Sequence, residues 1–565
     1  MKDKKMKQTG LSGQKKDKFA QNSAIETFDE FEKFTGMTTT PNTNSSAAPF
    51  YGCTNLKSIK LPESLQQIGH SCFLSCTSLQ QINLNNNSSI KRIDTYGFEG
   101  NSSLKIEGLN LPNLETIGSR AFYGCSLLTG EVNFPTLTTV YGDLCFYGTN
   151  ITSFKADILE NLTANEMFKN IKSLIAVDLP SLKTIENNIF FNCTNLGTVN
   201  MPLVETIGSS AFYRCASLAN VDLPSLRILK GGNIFRESGV VNFNAPLLTN
   251  AGTASFNGCK SLVTITLAMV EIVGDSCFTG CSSLNINMSL PNLKVIEYGG
   301  FNATSSLKGR VNLPNLETIS GGAFGGSGIE YVDNLGGITS IGYHSWWGGA
   351  FSNCTSLKEV TLPSALTTIG GYAFYKCTSL YSINGSSIVN LPNVIDYGVH
   401  CFQDCDALTD CYISQNTESL GVINRSAKWK YSSDGIINLP NLKILGNYVF
   451  QESLITRVES LGQIECIGTA VGTYSYTFSW SAAEFCRVPS TCAMLATRTF
   501  YNADSMVSII FESTVPPETG VECFYGMDSL VGIYVPDESV EAYKTATNWG
   551  DVADKILPLS SYIEN

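Results

Sequence analysis

The chain has 565 residues, of which 43% are hydrophobic and 15% charged, and it carries a net charge of −12. That balance excludes wholesale disorder, and no run approaches the roughly 18 to 20 apolar residues of a membrane span. Three histidines leave little material for His-based metal sites or His-based catalysis.

In chain order, residues 1–24 read as a basic, flexible tail. The first 18 hold seven lysines and two aspartates, a local charge of +5 that leaves −17 on the remainder. An acidic body repels phosphate backbones, so nucleic-acid binding by the body is not expected. The tail suits contact with an acidic partner, or tethering to a larger particle. The opening residues show no apolar core of a secretory signal, so standard export is not expected. In residues 25–37, Phe28, Phe31 and Phe34 recur every three positions, a spacing that predicts an N-terminal capping helix.

From there to residue 536 one phrase recurs, as in LKEVTLPSALTTIGGYAFYKC at 357–377. Its phenylalanine keeps the register from Phe50 to Phe524, with Trp429 read as a substitute in the long step between Phe402 and Phe450. The 21 anchors stand 23.7 residues apart on average, a period that belongs to stacked coils rather than to separate globular domains. Within a coil, Ile59 and Leu61 alternate with polar neighbours, which predicts a strand with one face inward. Pro62 cannot donate a ladder hydrogen bond and ends the strand. Leu65 and Ile68 form a second short extended segment, and Gly69 turns the chain. Ile68, Cys72, Phe73 and Cys76 are spaced as one apolar face of a single helical turn. No coil closes a core alone, but stacked coils bury a continuous column of Phe, Ile and Leu. IYVPDESVEAYKTATNW at 533–549 supplies a last strand, a proline and a closing helix, so 537–565 reads as a C-terminal cap.

The repeated I-x-L-P…L-x-x-I-G-x-x-A-F-x-x-C resembles the BspA-like leucine-rich repeat family, over about residues 35–558. The resemblance implies a β-rich leucine-rich-repeat solenoid of about 21 coils, capped at both ends. It implies a non-catalytic binding or adhesion scaffold of the kind found in bacterial surface antigens, protozoan surface proteins and proteins of gut bacteriophages. It carries over no catalytic residue, because its motif is structural.

The 19 cysteines follow the repeat. Ten lie three positions after an anchor and five lie one before, leaving Cys411, Cys466, Cys486 and Cys492 outside the pattern. The slot three after the anchor also accepts Thr149, Ser238, Thr304, Ser327 and Ala503, which reads as selection for small volume by free, buried thiols. The C-x3-C pairs lack the partner pair that zinc requires. No phosphate-binding, metalloprotease, nucleophile-elbow or dinucleotide motif is present. No enzyme activity, cofactor or metal is therefore expected.

Insertions in a solenoid mark loops on one edge. The usual step from Ile to the anchor Phe is five residues, but it is ten from Ile341 to Phe351, seven from Ile395 to Phe402 and eleven from Ile467 to Phe478. Irregular stretches are thus placed at 341–351, 405–440 and 467–478. The three expansions carry Tyr343, His344, Trp346, Trp347, Tyr397, His400, Tyr474 and Tyr476, residue types enriched in binding hot spots. They are the ligand-binding candidates; the alternative is that they fold inward and cap their own loops. The partner expected is a protein or glycan on a cell surface. The functional reading is a recognition protein on a phage virion or tail, with a bacterial or protozoan surface adhesin and a tethered structural scaffold as alternatives.

Overall fold

A computed structural model describes residues 21, 26–28, 39–40, 48–425 and 428–564. The basic tail apart from Gln21, and Ser426 and Ala427, lie outside the described residues. The chain divides into two compact units, Met1–Met269 and Val270–Asn565.

In the first unit each coil contributes two short strands to parallel ladders. The first strands pair coil on coil: Thr27–Phe28 with Ser58–Ile59, and Ser58–Ile59 with Gln81–Ile82. A five-stranded sheet then runs from Ile106–Asn110 to Thr198–Asn200. The second strands pair likewise, Gln67–Ile68 with Arg92–Ile93 and onward. Thr27–Phe28 corrects the expected capping helix at those two residues: they extend the ladder as a strand, and the Phe28 ring meets Phe50 at 5.7 Å. Residues 25 and 29–37 of that expectation lie outside the described residues. In the second unit an eleven-stranded parallel sheet runs from Ile272–Val273 to Glu518–Thr519.

The third side of each coil, expected as a helical turn, takes another form. Cys72, Leu74 and Cys76 donate N–H groups within their own turn, to Gly69, Ser71 and Phe73 at 3.1–3.3 Å. The alternate residues Ser71, Phe73 and Ser75 donate to Thr95, Gly97 and Glu99 of the next coil. The device is a left-handed residue on each side of the anchor, Ser71 (φ 55°) and Ser75 (φ 61°). It recurs at Ser210 and Arg214, and at Tyr372 and Lys376. A helix would spend every N–H inside its own turn. Alternation keeps half of them for the neighbouring coil, so this side is hydrogen-bonded coil to coil as well.

The anchors form the core. In the first unit consecutive rings from Phe50 to Phe256 stack at 5.0–5.7 Å with interplanar angles of 2–22°. In the second, Phe278 to Phe402 continue in the same way at 5.1–5.6 Å, and the column resumes from Phe450 to Phe524. Between Phe402 and Phe450 the expected substitution of Trp429 is corrected. The Trp429 carbonyl accepts from Leu454 N–H at 2.8 Å, as the Cys215 carbonyl accepts from Gly239 in a regular coil, so Trp429 holds the hydrogen-bonding place of the residue that follows the anchor turn and not that of the anchor. Phe402 donates instead to Ile423, which puts buried Asn424 in the anchor register. The missing ring comes from Tyr431, set edge-on to Phe450 at 5.5 Å with its hydroxyl donating to the Val449 carbonyl at 3.0 Å.

At the other end Gly532–Val535 and Pro536 lead into a 3-10 turn at Asp537–Ser539 and an α-helix at Val540–Thr545. Buried Trp549 closes the column, 4.8 Å from Phe524 and 5.1 Å from Phe511. All 19 cysteines are free and all but Cys466 are buried. The small slot is also a donor slot: the Cys76, Cys125, Cys193 and Cys215 thiols donate to the anchor carbonyl of the preceding coil at 2.9–3.2 Å. Thr149 and Thr304 donate to their own anchor carbonyl at 2.7 Å.

Candidate functional site

The candidate residues all lie in the second unit, on the turn side of its coils. The expansion after Ile341 is a small antiparallel hairpin, Tyr343–His344 against Gly348–Gly349. Four residues project between and beside its arms, and the structure sorts them. Trp346 at the tip is 89% exposed, its backbone N–H donating to His344 Nδ1 at 3.1 Å. Tyr343 is exposed and stacks on Tyr372 of the next coil at 5.9 Å. His344 turns to Tyr298 at 4.6 Å. Trp347 folds back across earlier coils, over two glycines: a Cβ on Gly322 would lie 2.5 Å from its Cβ, and one on Gly299 would lie 3.2 Å from its indole. Trp347 is therefore loop packing, the inward alternative, whereas Trp346 is free of it.

Tyr397 requires a correction. The second strand of its coil is Asp396–Tyr397, and Tyr397 registers with Ile369 and Leu420. It fills the Ile slot and is fully buried. Counted from Tyr397 the step to Phe402 is the ordinary five, so no insertion exists there and Tyr397 is core. His400, two before the anchor, is half-buried against Tyr372 at 5.2 Å. Burial lowers its pKa below the ordinary imidazole value, Arg425's charge adds to this, and a hydrogen bond with Gln403 opposes it.

The expansion after Ile467 carries Tyr474, exposed, and Tyr476, half-buried. Their rings lie 5.9 Å apart. The Arg498 guanidinium sits 5.0 Å from the Tyr474 ring and 4.9 Å from Tyr501, while hydrogen-bonding the Tyr476 hydroxyl and Glu522. Those bonds, Tyr476 first and Glu522 second, raise the Arg498 pKa.

Several neighbours were not singled out from the loops: Tyr298, Tyr372, Tyr448, Trp480, Tyr501 and Tyr525. Tyr448 stacks on Tyr476 at 5.7 Å, with Arg425 4.3 Å above the Tyr448 ring. Tyr501 stacks on Tyr525 at 5.2 Å. Their signal was present in the sequence as aromatics within three residues of the anchor in several coils. Regular coils thus continue the aromatic row that the two real insertions begin.

Catalytic chemistry has little to work with here. Burial pushes the Cys125 and Cys193 thiols up to about 12 and the Cys354 thiol up to about 11, so they stay protonated and unreactive near neutrality. Among the described residues no group of three or more His, Cys, Asp or Glu could hold a metal ion, and no helix is long and apolar enough to cross a membrane.

Comparison with known proteins gives no match among curated proteins. Among solved structures, the chain resembles a leucine-rich repeat protein from Bacteroides ovatus with 25% identity, covering 68% of this chain and 89% of that one, at a TM-score of 0.43. It also resembles a leucine rich cell surface protein from Faecalibacterium prausnitzii with 15% identity, covering 81% of this chain and 92% of that one, at a TM-score of 0.27. The family model described as BspA type leucine rich repeat region matches residues 43–164, 161–246, 231–349, 348–456 and 471–547. With the anchor column, the double parallel ladder and this match over most of its length, the chain belongs to the BspA-type leucine-rich repeat family.

Proposed function

We propose that this chain is a non-enzymatic recognition protein whose second unit binds a protein or glycan on a cell surface through its row of turn-side aromatics. The observation that carries the reading is Trp346. Burying a large apolar side chain contributes roughly 1.5–3 kcal/mol, yet this indole stands in water at a hairpin tip. It gains that burial only when a partner covers it. Exposed Tyr343 and Tyr474 lie in the same unit, and aromatic anchors of this kind dominate binding energies.

The finer reading sets the chain on a phage virion or tail. Nineteen unpaired thiols support assembly in a reducing compartment. The same aromatic row would serve a bacterial or protozoan surface adhesin, and a tethered scaffold would need no exposed indole.

The test is a Trp346→Ala, Tyr474→Ala variant, chosen because neither side chain is buried in the fold. Binding to host cells should fall roughly tenfold or more, equivalent to about 1.4 kcal/mol or more, while the melting temperature moves by less than about 2 °C. Unchanged binding would remove the loops as the site. Fractionation of the source for particle-bound against cell-bound chain separates the two settings.

A further inference from the structure

The left-handed slot two residues after each anchor is costly for any bulky side chain. Elsewhere it is filled by glycines such as Gly52, Gly100 and Gly326, by Asn170, Asn192 and Asn502, and by flexible side chains such as Arg214, Lys376 and Glu452. Trp480 occupies it with φ 54°, the one aromatic ring there among the described residues. The indole does not recover that cost through burial, because 44% of it is exposed. It is nevertheless held in place: Tyr476 lies nearly parallel to it at 6.1 Å and 11°, and Tyr501 meets it edge-on at 6.1 Å. The left-handed turn itself belongs to the fold, since the Trp480 N–H donates to the Asn502 carbonyl of the next coil at 3.1 Å; what sets this position apart is a half-exposed indole held rigidly at the surface.

Trp480 also walls a shallow, open groove of about 480 Å³. The other exposed walls are Lys428, Glu452, Leu454 and Ser505. Neither Glu452 nor Lys428 is in an ion pair among the described residues. The groove therefore offers one flat apolar ring face, a carboxylate that accepts, and an ammonium and a hydroxyl that donate. An all-apolar partner would bury Glu452 and Lys428 unpaired, and a polyanionic strand meets a chain of net charge −12. A neutral ring with one C–H face and a rim of hydroxyls matches each wall.

We infer that the groove beside Trp480 is a pyranose-binding subsite, in which the sugar's C–H face stacks on the indole while its hydroxyls pair with Glu452, Lys428 and Ser505. This rests on the recognition reading above and adds the chemistry of the ligand. The probes are methyl glycosides of glucose, galactose, mannose and N-acetylglucosamine, followed by saturation-transfer NMR on the full chain. At least one should receive transfer at its ring C–H protons. Trp480→Asn should weaken that binding roughly tenfold or more without lowering the melting temperature, because asparagine suits the left-handed slot. Glu452→Gln should weaken it while leaving the melting temperature unchanged.

No transfer to any of the four glycosides overturns the proposal, as does transfer indifferent to Trp480→Asn. A marked loss of melting temperature in Trp480→Asn would make the indole a structural support and overturn it too. If the glycosides are silent while cells are still bound and the Trp346→Ala, Tyr474→Ala variant loses that binding, only the sugar subsite fails. If Trp480→Asn loses cell binding with the glycosides silent, the groove takes a protein and the pyranose assignment fails. Loss of neither would set aside the recognition reading as well.

Discussion

Phe212 stacks between Phe190 at 5.1 Å and Phe235 at 5.0 Å and is 1% exposed. Deleting it removes transfer energy and leaves a cavity between two rings that neighbouring coils hold apart. Phe212→Ala should cost about 3–5 kcal/mol, whereas Lys60→Ala at an exposed position just after a strand should stay within about 0.5 kcal/mol. Urea midpoints of the two variants check the register directly. Tyr397 calls for the opposite substitution. Among the described residues its buried hydroxyl has no hydrogen-bond partner, so it carries a desolvation cost with nothing in return. Tyr397→Phe should leave stability unchanged or raise it, and a destabilised variant in thermal melts would show that the hydroxyl is satisfied after all.

At the scale of elements, the turn side depends on left-handed residues and the loops depend on what lies beneath them. Gly322 is left-handed and directly under Trp347. Gly322→Ala must push the hairpin off the preceding coils, and Trp347→Ala should strip the same packing. Both should lower the melting temperature, while Trp346→Ala should not; equal effects at the two tryptophans would mean the hairpin is turned over. Trp549 covers the last ring of the column, and Trp549→Ala should destabilise the coils from Phe500 onward by about 3–5 kcal/mol, read as early loss of hydrogen-exchange protection in that stretch.

For the whole molecule the thiols set the pH response. Eight lie in the first unit and eleven in the second, and burial raises the pKa of many of them from an ordinary value of 9.0, Cys72 and Cys145 to about 12 and Cys259 to about 11. A thiol neutral in the fold but ionised when unfolded contributes stability that is present below pH 9.0 and lost as pH rises towards 11–12. At one pH unit above the ordinary value each fully buried thiol has lost about 1.4 kcal/mol. The urea midpoint should therefore hold at neutral pH and drop steeply as pH rises from 9.0 towards 11–12. Maleimide should label few of the 19 cysteines in native protein at neutral pH and nearly all after denaturation without reductant. Native pairing of many of them would contradict the donor role of the slot.

Period, strand positions, the buried Phe column and the free thiols were legible in the residues, because each follows from local spacing repeated about twenty times. What local spacing does not carry is the partner of each N–H. The run from Gly69 to Cys76 has helical spacing, yet Ser71 and Ser75 turn left-handed because the next coil offers carbonyls that a helix would ignore. Trp429 resembles an anchor by its neighbours in the chain, but the hydrogen-bond register sets it past the anchor slot. The candidate site divided on the same ground. Insertion length located the Trp346 and Tyr474 loops, whereas only packing against other coils could bury Tyr397, lay Trp347 over Gly299 and Gly322, and align Tyr448, Trp480 and Tyr501 into one row. Residues some 22 to 50 positions apart meet there through stacking, and that adjacency exists in no window of the sequence.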